Sequence, residues 1–112
     1  MKSGIYHVSF KAGNQNFGDG IVTIKDGVVN GGDDGYVYTG PLIVSGPQLS
    51  GQLHVERWNA SHQSIFGPLQ RFDLTLAGSA NDAAGTFSVS GNVTGQANMK
   101  IDISGRFLAA AA

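Results

Sequence analysis

The sequence predicts an all-β fold, an eight-stranded antiparallel up-and-down barrel. Three observations predict it. Apolar and polar residues alternate with a period of two through eight short segments, as in strands with one buried face. Glycine, aspartate and asparagine turns separate these segments, with 17 glycines against three prolines. No window carries a helical period of useful length. Eight strands can close into a barrel whose interior is filled by side chains or holds one small ligand. Closure also removes exposed edges. A two-sheet sandwich satisfies the same periodicity.

The strands follow in order. Residues 4–11 place Tyr6, Val8 and Phe10 on one face and Ile5, His7 and Ser9 on the other. Residues 12–16 are a polar turn, and 17–25 are the second strand, where Gly18 and Gly20 predict a bend or bulge. Asp26-Gly27 is a two-residue hairpin signal. The third strand is 28–31 and the fourth 36–40. The stretch between them, Gly31-Gly32-Asp33-Asp34-Gly35, reverses the chain, and Asp in such turns bonds its own backbone. Tyr36 and Tyr38 share a face, read as core. Residues 41–47 read as a connector with an apolar centre, and 48–58 as the fifth strand. Residues 59–68 are the longest irregular segment. The remaining strands are 69–77, 85–91 and 98–108, with turns at 78–83 and 92–97. On the last two strands Phe87, Val89, Ile101 and Ile103 point inward.

A chain of 112 residues makes one domain. Residues 1–108 are read as the barrel and 109–112 as an alanine tail, frayed or a cloning remnant. A chain this long buries over ~60% of its unfolded surface, so it needs no staple. It has no cysteine, which excludes disulfide and thiolate chemistry and suits a reducing cytoplasm. Met1-Lys2-Ser3 has no apolar run behind it, so no secretory signal is expected. No segment approaches the ~20 apolar residues of a membrane helix. The net charge is −1, from seven basic and eight acidic residues. Scattered charge of this kind makes no basic patch for nucleic acid.

Candidate chemistry is sparse. His7 and His54 lie on polar strand faces 47 positions apart, His62 lies in a loop, and no metal-ligand spacing links them. Asp33-Asp34 and Asp19 lack the spacing of a calcium loop. No serine sits in a nucleophile elbow, and no glycine run has the phosphate-loop pattern. No catalytic, cofactor or metal residue is therefore expected. The aromatic and aliphatic residues are more informative. Trp58 falls on the polar face of the fifth strand, where an exposed Trp reads as an interface anchor. Ile43, Val44, Ile65 and Phe66 are apolar residues in predicted connectors, and either contact a partner or cap the barrel ends. Gly51 and Gly105 face inward, where glycine would leave room for a small ligand.

Four blocks then occur in order: Gly4-Ile5-Tyr6 with Phe10; Gly18-Asp19-Gly20-Ile21 with Ile24-Lys25; Gly31-Gly32-Asp33 with Tyr36, Tyr38 and Gly40; and Leu53-His54-Val55 with Arg57-Trp58-Asn59. Together they resemble the GrlR-like family, small negative regulators of type III secretion genes in bacteria. The likeness covers the first half of the chain; beyond Asn59 only the strand rhythm agrees. It implies a lipocalin-like barrel, a homodimer, and a cytoplasmic, non-enzymatic role in which the protein binds a transcriptional activator. The best-known family member carries alternating acidic residues just before its fifth strand, held to matter for that binding. Here Ile43-Val44-Ser45-Gly46-Pro47-Gln48-Leu49-Ser50 has none, so any partner meets a less charged surface. A small-molecule carrier using the barrel interior is the alternative expectation.

Overall fold

In the computed structural model, which describes residues 1–61 and 70–112, eight strands form a closed barrel in sequence order. They are β1 (Gly4–Ala12), β2 (Gln15–Lys25), β3 (Val28–Gly32), β4 (Tyr36–Ser45), β5 (Gln48–Arg57), β6 (Arg71–Asn81), β7 (Thr86–Val93) and β8 (Gln96–Ala109). Every sequential pair is antiparallel, and β1 closes the barrel on β8 with Val8 opposite Gly105. The sandwich alternative is thereby excluded. Consecutive hairpins put the turns before β3, β5 and β7 at one end of the barrel, with both chain termini. The turns before β2, β4, β6 and β8 lie at the other end.

Several strands run further than the alternation predicts. Residues 41–45 are not a connector: β4 continues through Pro41 to Ser45, with Leu42 opposite Gly51 and Ile43 opposite Ser50. Pro41, which has no N–H, pairs with Val28 of β3 where the β4–β5 register skips from Thr39 to Leu42, and Leu42 N bonds Gly27 O at 2.9 Å. Likewise β6 reaches Asn81, β7 reaches Val93, and β8 begins at Gln96 and takes in Ala109. Glycine and polar residues at 78–81 and 92–93 look like turns locally, but paired neighbours hold them in the ladder, and the turn itself is only Thr94-Gly95.

Two local signals are realised as expected. Asp26 and Gly27 both take positive φ, 55° and 74°, the pairing that a tight two-residue hairpin requires. The bend in β2 sits at Phe17–Gly18, two residues opposite Phe10 alone.

The core is one apolar cluster inside the barrel, including Tyr6, Val8, Val22, Leu53, Leu74 and Val89. Aromatic rings pack at both ends of it. Tyr6 meets Phe87 and Phe107 edge-on with centroids 5.5 Å apart, and Phe10 meets Tyr38 at 5.4 Å. The inward glycines do not open a ligand space. The Phe87 ring lies directly against Gly105, where an added Cβ would overlap it, and at Gly51 a Cβ would come within 2.8 Å of Pro41 O. Glycine here admits a neighbour rather than a guest. Gly105→Ala should destabilise the barrel by about 1–3 kcal/mol through overpacking, measured as a lower urea midpoint with an unchanged slope.

Candidate functional site

The 31–40 stretch is built around one carboxylate. Asp33 Oδ1 accepts from the amides of Gly35 and Tyr36, each at 2.8 Å, and its own amide donates to Tyr36 O at 2.9 Å. Its other oxygen accepts from the Tyr38 hydroxyl. Tyr38 is buried on the same inward face as Tyr36. Burial first, then the bond to Asp33 and the charges of Asp33 and Asp34, push the Tyr38 phenol above its usual range. It therefore stays a donor at any working pH. The Tyr36 hydroxyl is buried without a hydrogen-bond partner among the described residues.

The chain leaving β5 locks onto this turn. The Trp58 and Asn59 amides donate to Gly35 O at 3.0 and 3.3 Å. Trp58 Nε1 donates to Asp33 O at 3.1 Å, and Asn59 Nδ2 to Asp34 O at 3.1 Å. Trp58 is thus fixed at its nitrogen edge while it remains 59% exposed. Sequence reasoning placed Trp58 outside the barrel but did not foresee its clamp on Asp33. Two backbone carbonyls made the connection, and they leave no mark in residue type.

The other candidate contact residues are separated. Ile43 is 64% exposed on the outer face of β4. Val44 is 43% exposed at the end of the same strand, where the inward side of the sheet opens at the barrel rim. Both are at the opposite end of the barrel from Trp58, so the structure does not bring them together. Ile65 and Phe66, like His62, lie outside the described residues. Between Ile43 and Trp58 the outer face of β4 carries Val37, Thr39 and Pro41, paired with Gly32, Asn30 and Val28 of β3. No charged side chain points outward from either strand. Ile21 of β2, opposite Gly32 and 46% exposed, extends the face sideways. The strip runs about 20 Å from Val37 to Ile43 at ~3.3 Å per residue.

The charges sit elsewhere. On the outer face of β5 and β6, His54 Nδ1 bonds Asp73 Oδ1 at 3.0 Å and Nε2 bonds Glu56 Oε1 at 3.2 Å. A neutral imidazole has only one N–H, so two carboxylate bonds favour the cation. The bonds to Asp73, then to Glu56, raise the His54 pKa. His7 similarly bonds Asp19 at 2.7 Å across β1 and β2. Among the described residues no three His, Asp or Glu side chains are disposed to hold a metal ion.

This is a small closed barrel that presents its outer wall rather than a cleft: a scaffold of the lipocalin-like, up-and-down class. The family described as "T3SS negative regulator, GrlR" matches residues 1–111, so the chain belongs to the GrlR family of type III secretion system negative regulators. The match extends through the second half, where residue blocks alone showed only strand rhythm. No curated protein matches the chain. Among the described residues no helix is long and apolar enough to cross a membrane.

Two outcomes are expected here. Asp33→Ala should cost about 2–4 kcal/mol, because two amides and the buried Tyr38 hydroxyl lose their acceptor. Asp33→Asn, which keeps one oxygen, should cost less; thermal unfolding followed by Trp58 fluorescence ranks them. For His54, a folded pKa above the unfolded ~6.5 means its contribution to stability is complete below that value and is lost as pH rises through the folded pKa. Its side chain is 47% exposed, so the contribution is small. An NMR titration should find the midpoint above that of a free histidine, and Asp73→Asn should bring it down.

Proposed function

We propose that the protein represses by binding another protein, a transcriptional activator of the secretion genes in the same cytoplasm, and that it does so as a homodimer. The observation that carries this reading is the uncharged outer strip of β3 and β4, with Ile21 of β2 beside it. It holds Ile21, Val28, Val37 and Ile43, each more than a third exposed, on a rigid sheet. Trp58 stands at one end of the strip, fixed by its bond to Asp33. Apolar surface gathered on one wall, while charge collects on others, is the pattern of a contact face. A preformed aromatic anchor loses little entropy on binding. Residues 43–50 carry no acid, so the contact is dispersive and hydrogen-bonded rather than charge-led. Membership of a family of T3SS negative regulators supports the regulatory half of the reading.

The interior supports a carrier poorly. The cavity on the barrel axis measures about 40 Å³, against the roughly 150 Å³ of an engineered cavity that holds benzene.

The test is a Val37→Glu, Ile43→Glu double variant. Both side chains point into solvent, so the circular dichroism spectrum should not change. Light scattering should show the dimer lost, and co-purification with the co-expressed activator should fall at least tenfold, the effect of two charges desolvated in an apolar contact. A variant that still dimerises and still retains the activator would move the contact off this wall.

A further inference from the structure

The barrel wall is not the same height all round. β3 begins at Val28, opposite Pro41, while β4 runs on to Ser45. The last bond between the two sides is Leu42 N to Gly27 O at 2.9 Å. At that level Asp26 and Gly27 turn the chain between β2 and β3. Ile43, Val44 and Ser45 stand past this turn, paired to β5 alone. They overhang it by about 10 Å at ~3.3 Å per residue. Successive amides of a strand point to opposite sides. The Leu42 amide points away from β5, so the Val44 amide does too, while Ile43 and Ser45 face Ser50 and Gln48. The Val44 N–H and C=O therefore form an open edge, with no backbone partner among the described residues.

The side chains beside this edge are apolar and accessible. Ile43 is the most exposed large apolar residue among the described ones, and Val44 is also exposed. Open edges are blunted in native proteins by charge, by proline or by shortness. Pro41 and Pro47 bracket this one and keep it short, but residues 42–45 carry no charge to turn a strand away. A donor and an acceptor on one extended residue are matched by one residue of another extended chain. A helix cannot supply them, because its backbone groups bond within it. A second copy of the edge does not fit either. Antiparallel pairing of two edges about Val44 would bring Gly46 of each copy opposite Leu42 of the other, the place Gly27 already holds. We propose that Val44 is a strand-addition site, and that its occupant is an extended, uncharged segment of the protein partner. One residue of that segment exchanges both backbone bonds with Val44 and lies over the barrel mouth. Its chain neighbours point outward beside Ile43, where small or β-branched side chains fit. The segment continues the line of β3 past Asp26-Gly27 and leaves over the rim. This inference rests on the reading that the protein acts by binding another protein, and it assigns the Ile43 end of the strip to backbone pairing.

The Val44 amide reports on the site directly. Hydrogen exchange followed by nitrogen-15 NMR should find it exchanging fast in the free protein, while the Ile43 amide, bonded to β5, exchanges slowly. The first probe is the peptide acetyl-Val-Thr-Val-Thr-Val-amide. It should move the Val44 amide resonance saturably and slow its exchange severalfold. Val44→Pro lacks the amide, which serves no ladder bond, so the circular dichroism spectrum should not change. It should bind the peptide about tenfold more weakly, and Val44→Thr, which keeps the amide, should bind it as the parent does. The second probe is the co-expressed activator, which Val44→Thr should retain and Val44→Pro should largely lose. A Val44 amide that neither moves nor gains protection with the peptide overturns the proposal, whether or not Val44→Pro folds. So does a folded Val44→Pro protein that binds the peptide as the parent does. Loss of the activator from the Val37→Glu, Ile43→Glu variant but not from folded Val44→Pro also overturns it, and leaves the contact wall standing. Peptide binding at Val44 in a parent that retains no activator upholds the edge and overturns the function proposed above.

Discussion

The rest of the structure depends on the five bonds made by Asp33. A reversal between two strands buried on their inner faces must satisfy its amides without water, and an acceptor at the tip does this for Gly35 and Tyr36 at once. The same carboxylate takes the Tyr38 hydroxyl, which lets a phenol stand among aliphatic side chains at no hydrogen-bond loss. Tyr38 in turn packs its ring on Phe10 of the opposite wall. One turn residue thus sets the register of β3 against β4, fills one end of the core, and supplies the carbonyl that holds Trp58 outside.

That arrangement separates two jobs. The inner residues of every strand are committed to filling a narrow cylinder, where Gly105 makes way for Phe87 and leaves little slack. The outer residues are free of that duty. On β5 and β6 they are spent on charge, in the His54, Asp73 and Glu56 cluster. On β3 and β4 they carry none. Each wall therefore has its own surface chemistry over an unchanged core, because successive side chains of a strand point to opposite sides.

Period-two alternation was enough to read an all-β chain, the eight strands and the inward set, though not barrel against sandwich, since burying one face of a strand leaves the same imprint in both. Strand ends were harder. Pro41, Gly78 and Asn92 carry turn preferences, and the pairing that overrides them comes from neighbours distant in sequence. The Asp26-Gly27 hairpin and the Asp33 turn were legible because their chemistry is local. The clamp of Trp58 on Asp33 and the Asp73 partner of His54 were not. Each joins residues whose separation in sequence carries no signature. Trp58 was legible as exposed and Ile43 only as an apolar connector residue; their separation to opposite ends of one wall required β4 to be seen as a single long strand.

The length of β4 also bears on the missing acidic run. A connector between strands would be free to change shape with its composition, and losing acidic residues there would alter both form and charge. Residues 43–45 are instead held in a ladder opposite residues 48–50, so their backbone path is fixed by pairing whatever their side chains are. Ile43 on that fixed path offers a partner an apolar ridge on the outer wall. A partner selected by this ridge must itself bring apolar surface, because an acceptor built for carboxylates would bury unpaired cations against it.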